Sequence, residues 1–396
     1  MTRPRLLFLG HGAERTGPPI LLGHLLDGLH RLDRHDLSVV TARSGPLLAA
    51  YERASAQVAA VGTERQPLRR TSALLRQVGA SSAIEPAQDL IRRRALRRVP
   101  RADLVYVNAA TPPTADLLRV LDPEPSVPVL VHVHELDIGL RLNLGAAQRA
   151  ALFERADHLI AASRPVAALL RDGHGIAADR ITTCAEFVDA DAVRPDPRAT
   201  VRAELGIPDD AAVVGSVGLP DWRKDPDHLL RAASLLERSG AARAPWVVWI
   251  GGDPASDDGR RLADEARRLG LTDRFRHVGH LDRPDRLLHA LDVFALPARE
   301  DALPLAALEA AAAGLPIVCF RAGGVADLCD RGAGTTVAYP DTVAFADALA
   351  RLLDDGAERE RTGARARELV AAEHDVAPGV DRIVAVIDRF LPQGVR

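Results

Sequence analysis

Short apolar runs alternate along the chain with longer segments of mixed polarity. In the first half the runs are RLLFLG, LSVVTA, LVYVNA, VPVLVHVH and HLIAAS, and in the second half they are AAVVGSVG, WVVWIGG, FRHVGHL, VFALP and PIVCF. Runs that are apolar on both faces are typical of strands in a parallel sheet covered by helices on both sides. Their alternation with helical segments predicts doubly wound α/β units along the whole chain.

The alternation is interrupted near VDADAVRPDPRATVRAELGIPDD, where prolines and aspartates break the periodicity. We place a linker there, over residues 189–205. The prediction is two αβα domains, residues 1–190 and 191–375, with a last helix over 376–396 that packs back on the first domain. Because ligands of open α/β sheets bind beyond the carboxyl ends of the strands, two such domains facing each other would form a central cleft.

Composition narrows the class of protein. Apolar residues make up 47% and charged residues 27% of the 396 residues, as in folded globular proteins. The net charge of −3 gives no overall attraction to nucleic acid, so no nucleic-acid partner is expected. Cys184, Cys319 and Cys329 lack metal-ligand spacing and favour a reducing compartment. The apolar runs are too short for a signal peptide or a membrane span, so we expect a cytoplasmic protein, soluble or at most peripheral.

Residues 63–101 differ from the rest of the chain in charge. Ten arginines stand there against three acidic residues, a local balance of +7, with a few apolar residues such as Leu90 between the charges. A solvated helical surface explains this pattern as well as a basic face toward anionic lipid or an anionic acceptor. Peripheral contact with an anionic membrane through residues 63–101 is therefore a hypothesis.

The stretch LPAREDALPLAALEAAAAGLPIVCFRAGG, residues 296–324, combines acidic residues with a small-residue helix. Pro304 suits the first turn of this helix, and Gly314 suits the position after its end. Glu309 falls on the apolar stripe of the helix, where a carboxylate needs a polar partner. Ligand hydroxyl groups and a neighbouring arginine are equally good partners on periodicity alone.

EDALPLAALEAAAAGLPIV followed by RAGGVADL resembles the donor-site signature of glycosyltransferase family 4, whose members are retaining enzymes of the GT-B fold. The signature has two acidic residues separated by seven others, which match Glu309 and Asp301, with Glu300 as the alternative for the first acid. The resemblance implies that Glu309 hydrogen-bonds the nucleotide ribose and that the first acid lies against the donor sugar. It also implies that Gly323 and Gly324 approach the diphosphate with free N–H groups at a helix start.

Two stretches of the first half are similar to the same family. LLFLGHGAERTGPPILLGHLLDGL resembles its first strand, glycine loop and helix, which implies that Gly17 lies near the sugar phosphate. VLVHVHELDIGL resembles its histidine-bearing strand end, which implies that His134 points toward the donor sugar with Glu135 beside it. His132 shares the strand face of His134 and stays a candidate.

Lys224 is the only lysine of the chain. Its stretch, VVGSVGLPDWRKDPDHLLRAA, resembles the first strand, loop and helix of the family's donor domain, where an arginine and a lysine hold the nucleotide diphosphate. The resemblance gives these roles to Arg223 and Lys224, although Leu219 stands where the family has a further arginine. Main-chain groups around Gly279 would meet the base.

Two D-x-D triplets, residues 189–191 and 225–227, fit the metal-binding motif of a different glycosyltransferase fold. Such triplets are frequent by chance, and in family 4 basic side chains and helix ends neutralise the diphosphate. We therefore expect no metal and no other cofactor.

The sequence thus predicts a GT-B glycosyltransferase that moves a sugar, with retention, from a nucleotide-diphosphate donor to a glycan, a lipid-linked or a small-molecule acceptor. The predicted catalytic residues are His134, Arg223, Lys224 and Asp301, and the predicted nucleotide-sugar-binding residues are Gly17, Arg223, Lys224, Gly279, Glu300, Asp301, Glu309, Gly323 and Gly324. A sugar-nucleotide epimerase on the same scaffold and a non-catalytic nucleotide-sugar-binding protein are the alternatives. A dinucleotide oxidoreductase is disfavoured because the G-x-G-x-x-G spacing is missing.

Overall fold

The computed structural model describes residues 3–62, 84–239 and 244–391. The chain forms two compact units: unit 1 is Met1–Ala185 with Val376–Arg396, and unit 2 is Glu186–Asp375. The boundary therefore falls at Ala185 instead of the predicted residue 190, and the last helix belongs to unit 1. Residues 63–83 of the basic segment lie outside the described residues.

Unit 1 is built on a parallel sheet. Its strands are β1 (Arg5–Gly10), β2 (Asp36–Arg43), β3 (Gln57–Gly62), β4 (Leu104–Asn108), β5 (Val129–Val133), β6 (His158–Ala161) and β7 (Ile181–Thr183). They pair in the order β3-β2-β1-β4-β5-β6-β7. The helices are α1 (Gly17–Leu32), α2 (Leu48–Ala54), α3 (Ile84–Leu96), α4 (Pro112–Leu121), α5 (Asp137–Asn143), α6 (Ala146–Arg155), α7 (Arg164–Ala168) and, from the end of the chain, Val376–Phe390. This last helix packs against α1.

Unit 2 repeats this architecture. Its strands are β8 (Val213–Val217), β9 (Trp246–Ile250), β10 (Phe275–Val278), β11 (Val293–Leu296), β12 (Ile317–Phe320) and β13 (Gly334–Val337), paired in parallel in the order β10-β9-β8-β11-β12-β13. The helices are α8 (Arg198–Leu205), α9 (Pro226–Arg238), α10 (Asp257–Arg268), α11 (Leu305–Ala312), α12 (Val325–Leu328), α13 (Thr342–Asp354) and α14 (Gly356–Glu373). Trp249, Phe320 and Phe345 lie in its hydrophobic core.

All ten predicted strands are present, and three strands were not predicted. The missed strands β3, β7 and β13 read QVAAVG, ITT and GTTV, so they lack the long β-branched runs that mark the others. Each of them is an edge strand of its sheet. An edge strand is covered on fewer sides than a central strand, so it needs fewer apolar residues.

The predicted linker over 189–205 is wrong in its second half, because α8 occupies residues 198–205. Arg202 on this helix is fully buried and donates hydrogen bonds to the carbonyl of Ala290 and to Asp292 Oδ2. Because these partners satisfy its N–H groups, the guanidinium of Arg202 can be buried in the interior of unit 2. A helix of unit 2 therefore lies where the interrupted periodicity predicted a linker.

The strand orders define where each unit can bind ligands. In unit 1 the chain moves outward from β1 through β2 to β3 and then resumes at β4 on the other side of β1. In unit 2 the same reversal occurs between β8 and β11. The carboxyl ends of β1 and β4, and of β8 and β11, are the topological switch points of the two sheets.

In the part of the chain that the structure describes, no helix is both long enough and apolar enough to cross a bilayer.

Candidate functional site

Arg223 and Lys224 lie in the loop between β8 and α9, at the switch point of unit 2. Asp221 shapes this loop, because its Oδ1 accepts the backbone N–H of Arg223 at 3.1 Å and that of Lys224 at 2.9 Å. Gly218 has a φ of 154°, and a Cβ there would stand 3.2 Å from Lys224 Cε. The lysine stem therefore packs over a glycine, and Lys224 is only 7% exposed.

Asp301 brings the two cations together. Its Oδ2 lies 2.5 Å from Lys224 Nζ and 3.0 Å from Arg223 Nη1. Burial would raise the pKa of Asp301, but the charges of Lys224 and Arg223 outweigh it and hold this pKa below its ordinary value. Burial likewise works to lower the pKa of Arg223, and the charges of Asp301 and Asp221 reverse the effect and raise it. We call Arg223, Lys224 and Asp301 the charged triad.

Glu300, the alternative first acid of the signature, is buried beside the charged triad. Its charge contributes to the raised pKa of Arg223. The residue before it, Arg299, was not predicted as part of the site. Its backbone N–H donates to the carbonyl of Arg223 at 2.9 Å, and its Nε lies 2.7 Å from Asp225 Oδ2. Arg299 therefore ties the β11 loop to the loop that carries the triad cations.

Gly323 and Gly324 lie next to Asp301, but their backbone does not match the expected free N–H pair. A Cβ on Gly323 would stand 1.5 Å from the carbonyl oxygen of Asp301, so the close approach of two backbones requires glycine there. The N–H of Gly324 donates to the carbonyl of Ala302 at 2.7 Å. The expectation that both N–H groups face the diphosphate is corrected for Gly324.

A small cavity adjoins the charged triad within unit 2. Its lining residues come from the ends of β11 and β12 and from the loops that follow: Leu296, Ala298, Asp301, Phe320, Ala322, Gly323 and Val325. One wall is apolar and aromatic, and Asp301 belongs to the lining. The cavity has room for about one water molecule, so it is a small gap beside Asp301 and not a formed ligand pocket.

Glu309 lies on α11, and its side chain is partly buried. Burial, followed by the negative charge of Asp285, raises the pKa of Glu309 to about 7. Within residues 3–62, 84–239 and 244–391, no arginine or lysine forms an ion pair with it. The arginine-partner alternative is therefore not met in this part of the chain, and the carboxyl stays a strong acceptor for hydroxyl groups.

Gly279 follows β10, two strands from β8 in the sheet of unit 2. A Cβ on Gly279 would stand 3.2 Å from Pro254 Cδ and 3.5 Å from the carbonyl oxygen of Gly252. Gly279 thus lies in the close-packed loops that follow β9 and β10. These loops are at the carboxyl ends of the strands, as are the loops that carry the charged triad.

His134 lies at the carboxyl end of β5 in unit 1 and is 9% exposed. Its ring stacks on that of His132, with centroids 3.9 Å apart. His132 is fully buried, its Nδ1 lies 2.7 Å from the hydroxyl of Tyr106, and burial lowers its pKa well below the ordinary value. Glu135 Oε2 accepts the backbone N–H of His134 at 3.0 Å. The predicted histidines are therefore packed against each other, and the buried member, His132, is held neutral.

Gly17 is the first residue of α1, and a Cβ there would meet nothing within 4 Å. The structure leaves open space at this position instead of requiring glycine for packing. His11, which was not predicted, lies nearby on the loop after β1, where burial and then the charges of Arg43 and His134 lower its pKa to about 4.

Nothing in the described parts of the chain groups three or more His, Cys, Asp or Glu side chains as a metal site would need. The Cys319 and Cys329 thiols lie 3.6 Å apart and are buried. The absence of a metal stays an expectation.

Comparisons with known proteins bear on this arrangement. A sequence profile described as "Glycosyltransferase Family 4" matches residues 17–192, and one described as "Glycosyl transferases group 1" matches residues 197–369. The chain belongs to glycosyltransferase family 4. Each of its two units is matched by one of the profiles, and the predicted family is confirmed.

Curated relatives of the family are similar over about half of the chain. A D-inositol 3-phosphate glycosyltransferase 2 of Catenulispora acidiphila is 37% identical over 51% of this chain and 49% of its own. A D-inositol 3-phosphate glycosyltransferase of Saccharomonospora viridis is 38% identical over 44% of this chain and 42% of its own. The chain thus spans about half the length of the curated relatives it matches.

Solved structures match the fold over nearly the whole chain. Anabaena Alr3699/HepE in complex with UDP-glucose aligns with a TM-score of 0.76 at 19% identity, covering 97% of this chain and 99% of that one. Sucrose-phosphate synthase from Thermosynechococcus elongatus aligns with a TM-score of 0.76 at 19% identity, covering 98% and 99%. The predicted fold class, two Rossmann-like domains of the GT-B type, is confirmed.

Proposed function

We propose that this family 4 chain transfers a sugar from a nucleoside-diphosphate donor to an acceptor hydroxyl, with retention of the anomeric configuration. The observation that carries the proposal is the charged triad, in which two cations are held on one carboxylate at the switch point of a Rossmann-like sheet. Lys224 is buried and Arg223 is partly exposed, so a second anion can approach the cations from the side of Arg223.

The diphosphate is the anion that fits this proposal. When the glycosidic bond to phosphate breaks, negative charge grows on the leaving oxygen, and a fixed cation about 4 Å away stabilises it by roughly 4 kcal/mol at an effective dielectric of about 20. Lys224 supplies a point charge and Arg223 a planar fork, so the two cations serve different oxygens.

The reaction that we propose needs no enzyme nucleophile. The acceptor oxygen forms its bond to the anomeric carbon on the face from which the diphosphate departs, and the acceptor proton passes to the leaving phosphate oxygen. Glu309 would hold the ribose through its carboxylate. His134 is proposed to position the sugar, and no metal takes part.

The first donor and acceptor to test are taken from the names of similar proteins. A structural neighbour is described with UDP-glucose and curated relatives are named for D-inositol 3-phosphate, so we propose UDP sugars and phosphorylated polyols as the first substrates to test. Product analysis with and without acceptor separates transfer from epimerisation, and a protein that only binds would give neither product.

The test of the proposal is Lys224→Ala. Loss of one cation should lower kcat/KM for sugar transfer by about 10²- to 10³-fold, the range that a few kcal/mol of transition-state stabilisation corresponds to. Arg261→Ala is the matched control, because Arg261 makes an exposed ion pair with Asp227 in the same unit. Unchanged turnover in folded Lys224→Ala would contradict the assignment.

Peripheral contact with an anionic membrane also stays a proposal, as does a cytoplasmic location. The described part of the basic segment includes α3, on which Leu90, Arg93 and Arg94 are exposed, and the turn after it, in which Arg97 and Arg98 are exposed. Replacing the four arginines by Gln should abolish cosedimentation with vesicles rich in phosphatidylserine. Gln at Arg267 and Arg268, exposed on α10, is the control, and equal binding of both variants would remove the proposal.

A further inference from the structure

Asn108 occupies the switch point of unit 1. It is the last residue of β4, it pairs in register with Gly10 of β1 and His132 of β5, and it is 1% exposed. A buried amide at this place has to satisfy both its donor and its acceptor groups.

The hydrogen bonds of Asn108 fix the orientation of its amide. Its Nδ2 donates to the carbonyl oxygen of Pro18, in the first turn of α1, at 2.9 Å. A carbonyl oxygen can only accept, so the amide nitrogen must face Pro18 and Oδ1 must face the other way. On that side, Oδ1 lies 3.4 Å from His134 Nε2.

The amide orientation in turn determines which ring nitrogen of His134 carries the hydrogen. Because Oδ1 of an amide only accepts hydrogen bonds, His134 Nε2 has to carry the hydrogen. In the neutral ring the lone pair is then on Nδ1. The bond from Asn108 to the Pro18 carbonyl orients the amide, and the oriented amide then determines the tautomer of His134.

The surroundings hold both partners in place. Ala109 follows Asn108 with a φ of 85°, a backbone conformation that a non-glycine residue adopts only under constraint. Its N–H donates to the carbonyl of His132 at 3.0 Å, and the N–H of Ala110 donates to Glu135 Oε2 at 3.3 Å. The end of β4 and the end of β5 are therefore joined through backbone and side-chain bonds around His134.

We propose that Asn108 is a positioning residue that holds His134 in the Nε2–H tautomer and joins it to the first turn of α1. The catalytic consequence rests on the proposed function, in which His134 positions the sugar. The structural consequence, one tautomer in the protein without substrate, can be measured independently of any reaction.

The experiment is long-range ¹H–¹⁵N NMR on the full chain labelled with ¹⁵N-histidine, with the His134 signals assigned by their loss in His134→Gln. Ring nitrogens that carry a hydrogen and those that carry a lone pair have well-separated ¹⁵N shifts. In the wild type we expect the hydrogen on Nε2, and in Asn108→Ala a mixture of both tautomers. We also expect kcat/KM to fall at least tenfold in Asn108→Ala, because a misplaced contact at the reacting centre is costly.

Two further variants separate positioning from folding. Asn108→Asp keeps an acceptor for His134 Nε2 and loses the donor to Pro18, so it should keep the Nε2–H tautomer. Ser234→Ala removes a hydrogen bond from Oγ of the buried Ser234 to the Leu269 carbonyl, 2.9 Å long, in the other unit, and should lower the Tm while leaving the His134 spectrum unchanged.

A wild-type spectrum with the hydrogen on Nδ1 would overturn the proposal, even if Asn108→Ala does not fold. So would an unchanged His134 spectrum in folded Asn108→Ala. If the tautomer responds as expected while no sugar transfer is found for the wild type, the proposed function fails and the role of Asn108 stands.

Discussion

The two sheets have their switch points in equivalent places. The buried titratable side chains at these two points differ in their state of ionisation. In unit 1 the side chains are imidazoles, and burial lowers the pKa of His11 to about 4 and that of His132 well below its ordinary value, so these rings are neutral. In unit 2 Asp301, whose side chain is mostly buried, stays ionised, because Lys224 and Arg223 hold its pKa down. One topology therefore carries neutral imidazoles, those of His11 and His132, in one unit and an ion-paired carboxylate in the other.

The difference comes from what each loop can supply to a buried group. In unit 2, Asp221 caps the loop that carries the cations, and two positive charges outweigh the burial of Asp301. In unit 1, Tyr106 offers His132 a hydroxyl, which is a hydrogen-bond partner without an opposite charge, so burial decides the direction of the pKa shift of His132. A neutral site suits sugar hydroxyls, and a cationic site suits phosphate.

The strongest test of this contrast is Asp301→Asn. Removing the carboxylate charge takes away the one side chain among the described residues that forms ion pairs with both Lys224 and Arg223. Since breaking a buried ion pair costs about 3–5 kcal/mol, we expect a loss of about 3 kcal/mol in the free energy of unfolding, measured by urea denaturation. UDP should then stabilise the variant more than the wild type, because its diphosphate replaces the lost charge.

Asp330→Asn is the control for Asp301→Asn, since Asp330 pairs with Arg321 at the exposed surface of the same unit. Its effect should stay below about 1 kcal/mol. An Asp301→Asn protein with wild-type stability and a wild-type response to UDP would show that the cations do not depend on Asp301, and the charged side of the contrast would be lost.

Glu309 sharpens the contrast, because its carboxyl is partly buried and, among the described residues, has no ion pair with a lysine or arginine. Its folded pKa, about 7, exceeds the ordinary value of 4.5. Between these values the unfolded chain binds fewer protons at this carboxyl than the folded one, so its contribution to stability falls as the pH rises, by up to roughly 1.4 kcal/mol per pH unit. Glu309→Gln should lose this slope in pH-dependent urea denaturation.

The same titration should appear in ligand binding. An ionised carboxyl accepts hydrogen bonds from two ribose hydroxyls, so the affinity for UDP, measured by calorimetry, should rise as the pH passes through about 7. Asp285→Asn removes a negative charge that raises the pKa of Glu309 and should move the midpoint to lower pH. A midpoint that does not move, or a Glu309→Gln protein with the wild-type slope, would assign the titration to another group.

Much of the fold and part of the site follow from the sequence. The strands with β-branched runs were predicted, and Lys224 and Asp301, selected by resemblance alone, prove to be in direct contact. The pairing of Asn108 with Pro18 and the bond from Gly324 to Ala302 were not predictable. Both bonds end on a backbone carbonyl. The sequence gives no signal for such a partner, because only the folding of the chain brings it near.

The smallest effect is expected from Tyr106→Phe, which removes the hydroxyl 2.7 Å from His132 Nδ1 and keeps the ring. Loss of one buried hydrogen bond should cost about 1 kcal/mol of unfolding free energy, measured by urea denaturation. Because burial keeps His132 neutral, this cost should be the same at pH 6 and at pH 8, unlike the effect of Glu309→Gln.

Tyr51→Phe provides the matched comparison for Tyr106→Phe. The hydroxyl of Tyr51 is also buried in unit 1, but it donates to the carbonyl of Pro19 at 2.7 Å, an acceptor that cannot titrate in this range. Both variants should therefore lose similar stability with flat pH dependence. If only Tyr106→Phe becomes more costly toward acid pH, His132 gains a proton in the folded protein, and unit 1 carries charge at its switch point just as unit 2 does.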